Sequence, residues 1–217
     1  MDERLIPLFP LGTLLVPGLI LPLHIFEPRY RRLVQDLMER PEDERAFGVI
    51  AIRDGHEVGE HGAQALYDVG TLALLREVTP YDDGRYDIVT VGTQRFSLGA
   101  LDSSLPYLQA TVRLLDEEPG EGAAALAESV GRAFAAYRAL LTDDDGTELP
   151  GDPGVLSYLV AAAVIADLPI RQDFLAAADD AARLRREAAF LSREMAVISA
   201  LPSLPAVELI REPQSPN

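Results

Sequence analysis

The chain of 217 residues contains neither cysteine nor lysine. Without cysteine there is no disulfide, no thiol nucleophile and no thiolate metal site, which fits a reducing compartment. Without lysine, all 19 basic residues are arginines. That excludes a lysine-activated serine nucleophile and a phosphate loop of the Gly-Lys-Ser/Thr kind. Positive charge is scarce overall: the formal net charge is −16, which opposes nucleic acid or an anionic membrane as a partner. The opening MDERL is acidic, and neither a positive leader nor a small-residue cleavage site follows it. The expected location is therefore the cytoplasm. With 48% hydrophobic residues, a chain of this size buries roughly 70% of its unfolded surface.

Charge is also missing locally. Residues Leu5–Phe26 hold no Asp, Glu or Arg, and His24 is their one titratable side chain. Pro7, Pro10, Pro17, Pro22, Gly12 and Gly18 interrupt this run. A continuous helix is excluded, because each interior proline removes a donor and clashes with the preceding turn. A lipid-spanning segment is disfavoured for the same reason. The expectation is three short, buried, extended pieces, Leu5–Phe9, Thr13–Val16 and Leu19–Ile25, with prolines at their ends or edges. The period then changes. Tyr30, Leu33, Val34, Leu37 and Met38 fall on one face of an amphipathic helix, with Pro28 at its first position and Pro41 as its stop.

Further along, Ala46–Arg53 reads as a strand with Phe47, Val49, Ile50 and Ile52 buried, and the glycine-rich residues 55–65 as a loop. Leu66–Thr79 is strand-like with a break near Gly70. Tyr81-Asp82-Asp83-Gly84 supplies a turn, and Arg85–Gly92 returns as the partner strand of a hairpin. Arg95–Leu98 continues extended. Tyr107–Leu115 alternates, with Leu108, Ala110, Val112 and Leu114 on one side. An acidic Pro/Gly linker, Asp116–Gly122, precedes an Ala-rich helical region. Leu126, Val130, Phe134, Tyr137 and Leu141 define its first apolar face. Asp152 and Pro153 start a helix expected to bury Val155, Leu156, Leu159, Val160 and Ala163. Pro169 opens a short helix. Asp179 or Asp180 caps a last one carrying Leu184, Ala188, Leu191, Met195 and Ile198. The division is thus β-rich 1–115, linker 116–122, helical bundle 123–200 and an extended or flexible tail over 201–217.

Several motifs imitate known chemistry and fail on spacing. His56-Glu57-Val58-Gly59-Glu60-His61 separates its histidines by five residues, which puts them on different faces of any helix, unlike a zinc-protease H-E-x-x-H. A loop site through His56, Glu57, Glu60 and His61 lacks support from ligand geometry. Asp143-Asp144-Asp145-Gly146 breaks the calcium-loop pattern at its sixth position, Glu148. No G-x-S-x-G elbow exists to present a nucleophilic serine. Where apolar strand meets polar helix, His24, Glu27, Arg29 and Tyr30 have two readings. One is a polar rim beside a groove. The other is structural: Tyr30 in the core, Glu27 near the helix start where its charge suits the dipole, and His24 hydrogen-bonded to backbone. Tyr81 and Tyr86 at the hairpin end are either a contact surface or a cross-strand aromatic pair.

The segment PLFPLGTLLVPGLILPLHIFEPRYRRLV (residues 7–34) resembles the opening of the Lon substrate-binding domain, in a stand-alone form without ATPase and protease parts. Leu66–Gly92 followed by Gln94-Arg95-Phe96 resembles a later section of the same family. So do DPGVLSYLVAAAV, Gln172, Phe174-Leu175 and ARLRREAAFLSREM in the helical region, so the likeness runs in order over about residues 5–200. The resemblance implies an α+β fold, a PUA-like β-barrel followed by an α-helical bundle. It also implies a non-catalytic recognition module. Exposed apolar segments of client or unfolded polypeptides would dock into an apolar groove or onto a sheet edge, for an adaptor to a separate protease or a holdase. Lon proteolysis needs a serine–lysine dyad, which this chain cannot form. The residues that would touch polypeptide are His24, Phe26, Glu27, Arg29, Tyr30, Tyr81 and Tyr86, with no catalytic residue, metal or cofactor. Two alternatives stand beside this reading: an RNA-binding module, suggested by the PUA-like fold, and a small-molecule or metal-binding enzyme built on His24 or His56/His61.

Overall fold

A computed structural model describes residues 3–55, 63–141 and 148–200. The His56–His61 motif, the Asp143–Asp145 run and the tail from residue 201 lie outside the described residues.

The proline-rich opening folds as β1 (Glu3–Leu11) and β2 (Ile20–Ile25). Pro7 and Pro10 sit within β1 rather than at its ends. They are tolerated because β1 changes partner midway. Glu3–Pro7 pairs antiparallel with β7 (Gln109–Leu114), and Leu8–Leu11 pairs parallel with β3 (Ala46–Gly55). Each half therefore has an unpaired edge where a missing N–H donor does no harm. Pro22 lies in β2, which pairs only with β6 (Tyr86–Asp102) among the described strands and is thus an edge strand. The expected Thr13–Val16 strand is instead a buried loop. Leu14, Leu15 and Val16 point inward, and the Leu15 carbonyl accepts a 2.7 Å bond from Thr71 Oγ1.

The double pairing of β1 closes a ring. With β5 (Val69–Pro80), the order runs β1–β7–β6–β5–β3 and back to β1. The short β4 (Ala63–Leu66) adds to the edge of β3, so the stretch expected as loop up to residue 65 becomes strand at residue 63. The β5–β6 hairpin turns at Gly84 (φ +82°) as its sequence demands. The break expected near Gly70 falls instead at Tyr67–Asp68. Gly70 is a packing glycine: a Cβ there would strike the Phe96 ring and come within 2.6 Å of the Val49 carbonyl oxygen. Phe96, with Leu8, Ile50, Ala110 and Val112, fills the ring interior.

Helix α1 (Pro28–Met38) caps one side of the ring. It buries Tyr30, Leu33, Val34 and Leu37 against Phe9, Phe47 and Ile88. Met38 lies outside this stripe and is exposed. The linker leads to α2 (Ala123–Leu141), α3 (Pro153–Ala163), α4 (Leu168–Leu175) and α5 (Asp180–Ala200). Asp152 Oδ1 caps α3 by accepting from Val155 N–H at 2.9 Å, and Asp179 Oδ1 caps α5 through Ala182 N–H at 2.7 Å. Leu141 faces solvent instead of closing the α2 stripe. Leu14, Val16 and Ala51 of the β part join Val130, Phe134, Leu156, Val160, Phe174 and Leu184 in one continuous core.

The ring has little room to spare around Phe96. Replacing Gly70 with alanine is expected to cost about 1–3 kcal/mol through overpacking, read as a lower urea midpoint at unchanged m-value. An unchanged midpoint would show that the ring relaxes around the extra methyl.

Candidate functional site

The cross-strand register of β2 and β6 places His24 opposite Asp87. His24 Nδ1 lies 2.6 Å from Asp87 Oδ1, and Tyr81 Oη donates to Asp87 Oδ2 at 2.5 Å. Arg85 Nη1 stands 3.4 Å from His24 Nε2. The expected backbone bond of His24 is thus replaced by a carboxylate. Tyr81 holds the Asp87 carboxyl below its ordinary range, with His24 next in effect, and the same bond raises the Tyr81 phenol. The His24 ring lies 5.9 Å from Tyr81 and 6.2 Å from Phe26. His24, Phe26 and Tyr81 therefore share one exposed surface at the hairpin tip. Tyr30 does not join it: it is buried and stacked on Phe9 at 4.0 Å. Arg29 lies over the Tyr30 ring and 3.0 Å from Glu27, whose backbone begins α1 without a side-chain cap. Tyr86 is half-buried, with its hydroxyl accepting from Gln35 Nε2 at 3.4 Å. His24, Phe26 and Glu27 line a small hollow of about 140 Å³, and Tyr30, though buried, also lines it together with Phe9.

A larger hollow, of about 630 Å³, lies between the β part and the helices. One wall is the Val16–Leu19 turn, which clamps onto β6: Gly18 N–H donates to the Gly92 carbonyl at 2.8 Å, and Gly92 N–H returns to Leu19 at 2.9 Å. A Cβ at Gly92 would strike the Val16 carbonyl, so this close approach depends on glycine. The other wall is α3. The sequence places Val155 and Leu159 in the core, but α3 is rotated: they are 57% and 39% exposed and face the groove, and Ala163 is exposed too. Ser157 and Tyr158 take the buried face instead. The reason is Arg183, whose Nη1 donates to Ser157 Oγ at 2.7 Å and whose guanidinium stacks on the Tyr158 ring at 3.8 Å. The signal in the sequence was an α3 apolar on two faces, one more than a single core contact requires.

The groove floor is ionic. Glu117, from the linker, accepts from Arg95 Nε at 2.8 Å and Nη2 at 3.1 Å, and from Tyr158 Oη at 2.7 Å. Its second oxygen also lies 3.6 Å from Arg183 Nη2. Arg95 and Arg183 are fully buried. Arg95 donates further to the Leu175 and Ala177 carbonyls at 2.7 and 2.6 Å, and Arg183 pairs with Asp180 at 2.9 Å. Burial pushes the Tyr158 phenol far up, so it stays a donor to Glu117. One turn beyond Arg183, Glu187 is completely buried, and neither carboxylate oxygen has a hydrogen-bond partner among the described residues. Burial pushes its pKa up to about 9, against the opposing pull of Arg183.

Two outcomes follow from this floor. Glu117→Gln takes the carboxylate from buried Arg95 while Arg183 keeps Asp180 at 2.9 Å. Because the Glu117 side chain is itself partly exposed, a loss of about 1.5–3 kcal/mol is expected in chemical denaturation. An unchanged midpoint would show that water replaces the carboxylate. Glu187 is neutral when folded, and its folded pKa lies above its unfolded value near 4.5. Its contribution is complete below pH ~4.5 and is lost as pH rises toward about 9, by at most about 1.4 kcal/mol per pH unit. Glu187→Gln should flatten that decline in denaturation midpoints measured from pH 5 to 9; an equally steep decline would show that Glu187 ionises freely.

Among the described residues, no group of three or more His, Asp or Glu is placed to hold a metal ion, and no helix is long and apolar enough to cross a membrane. The chain is 31% identical over 209 residues to Lon protease 2 of Sorangium cellulosum, covering 91% of this chain and 26% of the relative. To Lon protease of Phenylobacterium zucineum it is 28% identical, covering 87% and 24%. The chain thus spans about a quarter of the length of these curated relatives. The fold is similar to that of the Lon N-terminal domain protein from Xanthomonas campestris (TM-score 0.64, 23% identity, covering 86% of this chain and 98% of that one). It is also similar to the N-terminal domain of Mycobacterium avium complex Lon protease (TM-score 0.63, 19% identity, covering 87% and 98%). Residues 5–193 match the ATP-dependent protease La (Lon) substrate-binding domain, and the chain belongs to that family.

Proposed function

We infer that the chain is a non-catalytic recognition module that binds exposed apolar segments of other polypeptides. It would act in the cytoplasm as an adaptor for a separate protease or as a holdase. The β part, residues 1–115, is read as a PUA-like barrel, joined by residues 116–122 to the bundle of residues 123–200. The observation that carries the reading is the groove: Val155 and Leu159 of α3 stand open opposite Leu19. Its volume, about 630 Å³, is within the range of sites that enclose a ligand. An extended segment would place apolar side chains between the two walls. The exposed tip formed by His24, Phe26 and Tyr81, beside the edge strand β2, is a second contact surface. There a peptide could add backbone hydrogen bonds to the sheet edge.

The test is fluorescence anisotropy with a labelled, permanently unfolded polypeptide, run beside labelled RNA. Saturable polypeptide binding is expected, weakened about tenfold or more by Val155→Ser with Leu159→Ser, a loss in the range of truncated binding anchors. Phe26→Ser with Tyr81→Ser measures the share of the tip. Absence of polypeptide binding by the folded protein would sink the reading. RNA binding that falls steeply with salt would put the nucleic-acid alternative in its place.

A further inference from the structure

We propose that the inter-lobe groove selects apolar polypeptide segments flanked by lysine or arginine, and discriminates against those flanked by acidic residues. This deepens the preceding reading and rests on it. Carboxylates gather at one corner of the groove from three separate stretches of chain. Three line it: Glu117 from the linker, Asp152 from the start of α3 and Asp180 from the start of α5. Three more adjoin them in the chain: exposed Glu118 lies between the lining residues Glu117 and Pro119, exposed Glu121 follows two residues on, and Asp179 precedes Asp180. Two contacts tie these stretches together: Asp180 N–H donates to the Glu118 carbonyl at 3.0 Å, and Gly154 brings the α3 backbone close to the Asp180 carboxylate.

Among the described residues, the guanidiniums bonded to these stretches are Arg95, Arg183 and Arg185. The first two are buried and committed to the ionic floor, and Arg185 donates to the Glu121 carbonyl. Among the described residues, no arginine lines the groove itself. The lining carboxylates and their chain neighbours, six in all, thus outnumber the three guanidiniums. The N-termini of α3 and α5 add about half a positive charge each, so an excess of negative charge remains at the rim. Glu118, Glu121 and Asp152 carry it, being exposed. The occupant that matches this surface has apolar side chains for Leu19, Val155 and Leu159 and cationic side chains for the rim. Long basic side chains suit both parts, because their methylene stems cover apolar surface while their charged ends stay in water. A segment with acidic flanks meets like charge within the roughly 10 Å screening length of 0.1 M salt.

Exposed ion pairs are each worth up to about fivefold in affinity, so two flanking cations give a preference of roughly tenfold. The experiment compares three labelled peptides with one apolar core and flanks of Lys-Lys, Ser-Ser or Glu-Glu, plus a Lys-flanked peptide with a Gly/Ser core. Expected are affinities in the order Lys, Ser, Glu, a weak Gly/Ser-core peptide, and collapse of the order in 1 M salt. The triple variant Glu118→Gln, Glu121→Gln, Asp152→Asn should erase the order, Asn at 152 still being able to cap α3. Asp82→Asn with Asp83→Asn at the hairpin tip should leave it intact. Equal affinities for the three flanks would overturn the charge selection while leaving apolar recognition standing. Loss of the order through the tip variant would overturn the groove as its seat. Tight binding of the Gly/Ser-core peptide would reduce the effect to unspecific attraction by an acidic protein. Failure of every peptide to bind the folded protein would remove both this inference and the reading beneath it.

Discussion

Glu117 is the group on which the assembly of the two parts depends. It belongs to a linker that looks, by composition, like a solvated spacer. Its carboxylate nonetheless meets a guanidinium from the barrel strand β6 and another from α5, together with the Tyr158 hydroxyl of α3. Two buried arginines without a carboxylate between them would be very costly to keep out of water. The network therefore fixes the linker, the rotation of α3 and the placement of the loop after α4, whose carbonyls receive Arg95. The rotation of α3 in turn turns Val155 and Leu159 outward. The groove and its ionic floor are thus two faces of one arrangement.

How far the sequence could be read follows from the range of the interactions. Helix α1 and the β5–β6 hairpin were legible because their periods and turn residues are local: Pro28 at a first position and Gly84 at a turn carry their meaning alone. The same locality explains the caps at Asp152 and Asp179. What stayed hidden involves partners far apart in the chain. Arg95 stands in an extended stretch and Glu117 in an acidic linker, and neither points to the other until the fold joins them; Glu187 gives no hint of burial in a segment dense with arginine and glutamate. Val155 and Leu159 illustrate the opposite ambiguity. An apolar side chain looks the same whether it fills a core or walls a groove, and only the demand of Arg183 for Ser157 and Tyr158 decides between them. Of the residues singled out at the start of α1, the helical period itself already assigned Tyr30 to the core. The His24–Asp87 pair needed the β2–β6 register.

The site combines a rigid frame with a soft surface. The frame is the closed ring, the clamp of Gly18 and Leu19 on Gly92, and the buried ion network. The surface is a few aliphatic side chains, Val155 and Leu159 on one wall and Leu19 on the other, with open space between them. Such a surface adapts to many apolar partners, because dispersion and water release carry little directional demand. Any discrimination must come from its edges, where charge is placed.

The partner switch within β1 has a consequence for how the chain comes together. The first strand supplies both closing seams of the ring, and one of them pairs Glu3 with Arg113. During synthesis that seam must wait until more than a hundred further residues have emerged, while the parallel seam at Leu8–Leu11 needs only the strand ending at Gly55. Contacts so distant in sequence make for slow folding. The half-made ring, with its proline-bearing first strand bonded along one edge, is the stage at which a young chain is most open to other strands.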